Sequence, residues 1–479
     1  MNTQIALSPV TTRIPARLDR LPWSRFHLLV AVALGVTWVL DGLEVTIVGA
    51  VSAVLEDRRT LALSPEEIGA VASSYLVGAV SGALVFGWLT DRFGRKRIFY
   101  VTLAVYLAGV ALSACAWDFW SFALFRALTG AGIGGEYAAI NSAIDELMPA
   151  RLRGRIDLII NGSYWLGAAA GAAATVVLLD PAILPVDLGW RMAFAIGAAL
   201  GLLIMLLRRF VPESPRWLVT HGHESEAESE VAAIERRVAA DRGPLAPAEG
   251  TLLLLHPQRS FGFGVVAAAM LGRYRRRSFL ALVLMLAQAF LYNALFFTYG
   301  LVLNRFHGVA PEDTGIYLLP LAAGNFLGPL LLGHFFDTLG RRVMIAATYA
   351  ISAALLLLTG WLFAGDLLTA TTQTLAWSVI FFFASAAASA AYLTASEIFP
   401  LETRALAIAC FYALGTAAGG IVAPWLFGRL IGIGSRWYIF EGYAAAAVLM
   451  AVAAAVEWRI GVDAERRSLE DIAPPIASR

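Results

Sequence analysis

Gly87-Trp88-Leu89-Thr90-Asp91-Arg92-Phe93-Gly94-Arg95-Lys96 closes one long apolar run, and Gly333-His334-Phe335-Phe336-Asp337-Thr338-Leu339-Gly340-Arg341-Arg342 closes another. Each places a glycine three residues after an aspartate and an arginine one residue further on. A second pair of stretches repeats in the same way: Glu146-Leu147-Met148-Pro149 with Arg153, and Glu397-Ile398-Phe399-Pro400 with Arg404. Both motifs recur about 250 residues apart, which reads as an internal duplication. Duplicated helical halves are a common way for membrane transporters to build two lobes that rock about a central site.

Composition fits that reading. The chain has 479 residues, 59% of them hydrophobic and 15% charged, with a mean hydropathy of +0.71. That is too apolar for an ordinary soluble protein. A helix crossing a bilayer needs ~20 mostly apolar residues. Such stretches are predicted near 28–52, 67–90, 97–116, 119–145, 156–179, 191–210, 278–303, 314–336, 343–363, 373–396, 405–430 and 438–458. The expected fold is an all-α membrane protein with twelve transmembrane helices in two six-helix bundles related by pseudo-two-fold symmetry. The expected layout is an N-terminal segment 1–27, a first bundle 28–210, a linker 211–277, a second bundle 278–460 and a tail 461–479. A charged amphipathic helix is expected within His221 to Asp241, and a disordered end beyond Pro474-Pro475.

Loop cations give the orientation. If residues 1–27 are cytoplasmic, that side also receives Arg92, Arg95, Lys96 and Arg97, then Arg151, Arg153 and Arg155, Arg208 and Arg209, Arg273 and Arg275 to Arg277, Arg341 and Arg342, and Arg466 and Arg467. Both termini are therefore expected in the cytoplasm of a bacterial-type inner membrane. Asp41 and Glu44 interrupt the first apolar run, which reads as a retained span and not a cleaved leader. The six histidines are scattered (His27, His221, His223, His256, His307, His334), Cys115 and Cys410 lie far apart, and no nucleotide-binding loop occurs. These features argue against an enzyme, a metal or other cofactor, a nucleic-acid partner and an ATP-driven pump. The expected partners are a small-molecule solute, protons and the lipid bilayer, with the monomer as the working unit.

Charges within spans are the candidates for chemistry, since each costs ~2.5–3.5 kcal/mol at mid-bilayer. Glu44 in the first span and Arg126 in the fourth both fall ~12 Å in from the same side, so an acid–base pair is feasible. A guanidinium nearby favours the charged carboxylate and burial disfavours it, so a pair that opens and closes takes up and releases a proton. A static structural pair remains the alternative. Asp41, on a neighbouring helix face, is placed to share that proton. Glu136, ~15 Å further along the fourth helix than Arg126, is either an exit relay or an interhelical hydrogen-bonding group.

With these motifs in view, residues 25–460 resemble the major facilitator superfamily, specifically its sugar-porter and metabolite–proton symporter (synaptic-vesicle-protein-like) branches. Pro212-Glu213-Ser214-Pro215-Arg216-Trp217-Leu218 and Ser396-Glu397-Ile398-Phe399-Pro400 resemble sugar-porter signatures, whereas Asp41-Gly42-Leu43-Glu44 and Gly134-Gly135-Glu136-Tyr137 look more like the other branch. The Pro-Glu-Thr-Lys-Gly ending of sugar porters is missing, and Ala287 stands where a glutamine usually precedes Gln288. The resemblance implies alternating access and a cytoplasmic gate of Asp91, Arg95, Glu146, Arg153, Asp337, Arg341, Glu397 and Arg404. It also makes Gln288 and Asn293, with Tyr292, Phe296 and Phe297 nearby, the first candidates for solute contact, followed by Asn161, Asn325 and Tyr392. Interhelical hydrogen bonding is an equally open role for each amide. The expected function is proton-coupled symport of a sugar or related polar metabolite. Import of a carboxylate or aromatic acid anchored by Arg126, uncoupled facilitation and export are the alternatives.

Overall fold

The computed structural model describes the chain except residues 1–9, 52–53, 64, 208–210, 249–251, 256–266, 297–298, 310–313, 401–402 and 475–479. The expectations for Arg208, Arg209, His256, Phe297, the Phe296 side chain and the end of the tail lie outside the described residues.

The first half begins with strand β1 (Val10–Thr12) and helix α1 (Ile14–Asp19). Helices α2 (Arg25–Val51), α3 (Pro65–Phe93), α4 (Arg95–Ala114) and α5 (Phe119–Leu147) are followed by α6 (Arg153–Gly162), α7 (Tyr164–Leu178) and α8 (Val186–Leu207). The connection carries α9 (Pro215–Thr220), α10 (Glu224–Arg242) and β2 (Leu253–Leu255). The second half holds α11 (Arg275–Phe296), α12 (Tyr299–His307), α13 (Thr314–Thr338), α14 (Arg341–Ala364) and α15 (Ala370–Glu397). It ends with α16 (Arg404–Gly415), α17 (Ile421–Ile433), α18 (Arg436–Ile460) and the short α19 (Leu469–Ile472). Among the described residues, eight helices are long and apolar enough to cross a membrane unaided. Together with the shorter and broken helices between them, they make up the twelve-span, two-bundle fold expected from the sequence.

Two expected spans are not single straight helices among the described residues. The fifth breaks at Ser163, whose hydroxyl donates to the Ile160 carbonyl at 2.6 Å and the Gly35 carbonyl at 3.0 Å. The eleventh contains a π-helical turn, Thr416–Gly420, that brings Gly419 against the backbone of Phe290 and Ala289. Such interruptions are tolerated in spans whose freed backbone groups find other partners.

The duplication extends to packing. Helix α3 crosses α5 so closely that a Cβ on Gly82 would lie 2.0 Å from the Ala131 carbonyl oxygen. Its counterpart α13 crosses α15, where a Cβ on Gly328 would lie 1.9 Å from the Phe382 carbonyl oxygen. Gly82 and Gly328 stand at equal offsets before Asp91 and Asp337. Small residues are what let helix backbones meet in lipid, where no hydrophobic effect draws them together. The bundles meet through α6 against α13 and α3 against α16, two contacts that exchange under the pseudo-two-fold.

A small assembly covers the arginine-rich face. β1 pairs antiparallel with β2, Val10 opposite Leu255. Helix α10 is amphipathic, burying Ala227, Val231, Ile234 and Val238 at helical spacing. Arg17 and Arg20 both pair with Glu235 on that helix, at 2.7 and 2.5 Å. The strand pair was not anticipated from sequence.

Candidate functional site

Glu44 on α2 and Arg126 on α5 form a buried ion pair, each side chain about 1–2% exposed. The guanidinium lies over the Tyr75 ring at 4.7 Å and near Phe194 at 5.8 Å. Aromatic faces attract a cation, so these two rings help hold Arg126 in place beside Glu44. Glu44 Oε2 and Arg126 Nε have no hydrogen-bond partner among the described residues. One turn away, Asp41 accepts a hydrogen bond from the Tyr137 hydroxyl, and its second oxygen is buried without a donor among the described residues. Glu136 is buried beside Tyr137 in sequence.

Around Asp41 the bundles contribute an aromatic cluster that the sequence did not reveal. Trp38 stacks on Tyr137 at 4.6 Å with an interplanar angle of 8°. Tyr412 stands edge-on to Tyr137 at 4.9 Å, and Tyr392 completes the group at 6.3 Å from Trp38, Tyr137 and Tyr412. Trp38 and Tyr137 come from the first half; Tyr392 and Tyr412 come from the second. The indole N–H of Trp38 is buried with no acceptor among the described residues.

The amides expected at the solute are mostly occupied by the protein. Asn161 donates to the Asp157 carbonyl at 2.9 Å and to Asn141 Oδ1 at 3.3 Å. Asn325 donates to the Leu321 carbonyl at 2.8 Å and accepts from the Tyr292 hydroxyl at 2.5 Å. Asn293 donates to the Ala289 carbonyl at 2.7 Å, and Gln288 is half-buried on the same helix. Tyr292 also lies 5.3 Å from Phe381 and 6.1 Å from Trp165.

At the arginine-rich face the eight charged loop residues converge, and their pairing crosses between the halves. Glu146 Oε1 takes Arg95 of its own bundle at 2.7 Å and Arg404 of the other at 3.4 Å. Glu397 takes Arg341 of its own bundle at 2.9 Å and Arg153 of the other at 3.5 Å. Each glutamate thus reaches the arginine that follows the other glutamate in sequence. Asp337 accepts the Gly154 and Arg155 backbone N–H groups at 3.2 and 2.8 Å, and Asp91 accepts the Leu406 N–H at 2.9 Å. These donors belong to first helical turns, which have no intrahelical acceptor. The sequence suggested exposed pairs; here they are buried, with Asp91 the most open at 11%. Burial raises both the strength of each contact and the penalty for breaking one partner.

A second tier brackets this network. Arg216 holds Asp19 at 3.0 Å and Glu470 at 3.1 Å, so both ends of the chain meet the linker there. Glu213 caps α4 through the Arg95 N–H at 2.9 Å, and Glu465 caps α14 through the Arg341 N–H at 3.2 Å. Gly94 (φ 91°) and Gly340 (φ 108°) explain the glycine of the repeated motif. Both sit in the left-handed region, and a Cβ on Gly94 would lie 2.4 Å from the Glu213 carboxylate. Glu465 thereby stands in the second half where Glu213 stands in the first.

A family model described as "Sugar (and other) transporter" matches residues 32–460. The niacin transporter NiaP of Acinetobacter baylyi is 27% identical over 463 residues, spanning 95% of this chain and 99% of that protein. The inner membrane metabolite transport protein YgcS of Escherichia coli is 27% identical over 87% of this chain and 88% of its own. Among solved structures, the proton:xylose symporter XylE bound to 6-bromo-6-deoxy-D-glucose superposes with a TM-score of 0.76 at 18% identity, over 94% of this chain and 98% of that one.

Proposed function

This chain belongs to the sugar (and other) transporter family of the major facilitator superfamily, and from that premise we propose that it imports a small, flat, ring-bearing organic acid together with protons. It is a multi-pass membrane transporter of small solutes and not an enzyme. The observation that carries the finer reading is the aromatic cluster of Trp38, Tyr137, Tyr392 and Tyr412, built from both bundles beside Asp41. Aromatic walls with few oriented polar groups suit a flat ring, and here the polar groups left over are the Trp38 N–H and one oxygen of Asp41. The niacin transporter among the relatives carries a solute of this shape.

The arginine-rich face is assigned to the cytoplasm of a bacterial inner membrane, with both termini there. With that face closed, the acid–base site communicates outward. A proton arriving from outside neutralises Glu44 and ends its pairing with Arg126, which leaves the guanidinium available to the solute carboxylate. The solute ring occupies the aromatic cluster and draws the bundles together around it. This closure then replaces the cross-bundle bonds of Asp91, Asp337, Glu146 and Glu397, which break as the bundles rock open toward the cytoplasm. After the solute leaves, Glu44 loses its proton and re-forms the pair with Arg126.

Uptake of labelled nicotinate and labelled xylose by proteoliposomes, with and without an inward proton gradient, tests the solute class. Nicotinate should accumulate only with the gradient, unaffected by excess xylose. Accumulation of xylose and not nicotinate would overturn the aromatic-acid reading and transfer recognition to Gln288 and Asn293. Trp38→Ala should raise KM about 2–10-fold, the loss of one ring pair worth ~0.5–1.5 kcal/mol.

A further inference from the structure

Asp145 and Asp157 lie between the bundles at the cytoplasmic gate, and neither takes part in the pairing described above. Asp145 occupies the last turn of α5 beside Glu146; Asp157 stands one turn inside α6 from Arg153. Both side chains are fully buried, and none of their four carboxylate oxygens has a hydrogen-bond partner among the described residues. A fifth acceptor in the same region, Asn161 Oδ1, is also buried without a donor. The surrounding guanidiniums pair with other carboxylates, while Arg153 and Arg404 also attract Asp145 and Arg341 attracts Asp157 from a distance. On α6, Arg153 holds Asp19 and Glu397; on α14, Arg341 holds Asp337 and Glu397. On α16, Arg404 holds Glu146; on α4, Arg95 holds Asp91 and Glu146; on α9, Arg216 holds Asp19 and Glu470. Glu397 on α15 adds a further negative neighbour to both acids.

Two more unpaired anions in this setting would each cost several kcal/mol in desolvation and add repulsion from Glu397. The neutral donors beside them, Ser396 at Asp145 and Asn161 at Asp157, direct their hydrogens to the Leu393 carbonyl and to the Asp157 carbonyl and Asn141, and a neutral carboxyl supplies the hydrogens these acceptors lack. We propose that Asp145 and Asp157 form a second proton-binding site, built into the cytoplasmic gate, that holds its protons while the gate is closed and gives them to cytoplasmic water when it opens. On opening, each carboxyl O–H bond breaks, the proton passes to water, and the solvated carboxylate opposes reclosure. A proton fits better than a metal cation, because the described residues hold no group of three His, Cys, Asp or Glu ligands. The duplication supplies an internal comparison. Aligning Glu146 with Glu397 and Arg153 with Arg404 places uncharged Ser396 and Ile408 opposite Asp145 and Asp157. The gate scaffold therefore does not itself require these acids.

The bonds that close the gate provide the readout. The N–H groups of Gly154, Arg155 and Leu406 lie in first helical turns, and their acceptors belong to the opposite bundle, so their protection against hydrogen exchange reports closure. The full-length protein is measured without solute, so the outcome is independent of the transport reading above. After correction for the chemical exchange rate, wild-type protection at these three amides should fall at least about tenfold between about pH 6 and about pH 8.5. In Asp145→Asn/Asp157→Asn, protection should stay at its low-pH level throughout. The single variants Asp145→Asn and Asp157→Asn, each with a reduced fall, serve the same purpose if the double variant does not fold. A pH-independent wild type overturns the proposal, as does a fall of equal size in the variants. Restoration of protection by sodium chloride at high pH, against choline chloride at equal ionic strength, would assign the site to a metal cation and also overturn it.

Discussion

Replacing Asp337 by asparagine removes the centre of the larger of two cross-bundle contacts. Its carboxylate accepts the Gly154 N–H at 3.2 Å, the Arg155 N–H at 2.8 Å and an Arg341 N–H at 2.8 Å. An amide of the same size keeps one acceptor and turns an N–H₂ group toward a donor. The variant therefore loses the charge on two cross-bundle hydrogen bonds and one of the bonds outright. Hydrogen bonds to a charged group contribute ~1.5–3 kcal/mol each, so the closed gate loses about 3–5 kcal/mol. At ~1.4 kcal/mol per factor of ten, the open-to-closed ratio rises about 10²–10⁴-fold. Asp91 is the pseudo-symmetric counterpart and accepts the Leu406 N–H across the bundles at 2.9 Å. Asp91→Asn weakens at least that charged bond and should shift the ratio at least about 10-fold. Spin labels at Phe93 and Leu339, exposed positions on opposite bundles at this face, report the separation by pulsed dipolar spectroscopy once Cys115 and Cys410 are replaced. Asp337→Asn and Asp91→Asn should each transfer population to a longer distance. An unchanged distribution in either variant would refute the view that these aspartates hold the bundles together by capping opposing helices.

Helix crossing and linker docking give further tests. Gly82→Ala places a methyl 2.0 Å from the Ala131 carbonyl oxygen and should destabilise the folded protein by at least about 1–3 kcal/mol, whereas Gly272→Ala, with no atom within 4 Å, should leave thermal unfolding in detergent unchanged. His221 is buried in the linker and stacked on Trp217 at 4.2 Å, and burial lowers its pKa from the ordinary 6.5 to about 4. The unfolded linker takes up a proton that the docked linker refuses, so docking weakens as pH falls from about 6.5 to about 4, by up to ~3 kcal/mol. Hydrogen exchange over residues 215–220 should accelerate across that window, and His221→Phe should remove the acceleration.

Features repeated along the chain could be read before the structure; features assembled across it could not. The duplicated Asp-x-x-Gly-Arg loops identified the two halves because their charges follow apolar runs at nearly constant spacing. Glu44 and Arg126 stood out because charge within a span is costly and so carries information. Tyr137 and Tyr412 did not stand out, since aromatic residues are common in apolar helices and nothing local marks the few that converge. The crosswise pairing of Glu146 with Arg404 and of Glu397 with Arg153 was likewise hidden, because spacing reveals neighbours on one helix and not partners across an interface. Asn161 and Asn325 looked like solute contacts on chemistry alone, yet each satisfies its own helix first, as buried amides must. Glu465 escaped notice because it shares only geometry with Glu213: each is a carboxylate set against a glycine at positive φ.

Proton movement coupled to solute is the central claim, and it is measured most directly by following external pH in weakly buffered proteoliposomes when nicotinate is added. The wild-type protein should alkalinise the medium as nicotinate enters. Glu44→Gln should show no alkalinisation and no uphill uptake while still exchanging internal for external nicotinate. Equal alkalinisation and accumulation by the two proteins would contradict the account, because the carboxyl paired with Arg126 would then have no part in carrying the proton.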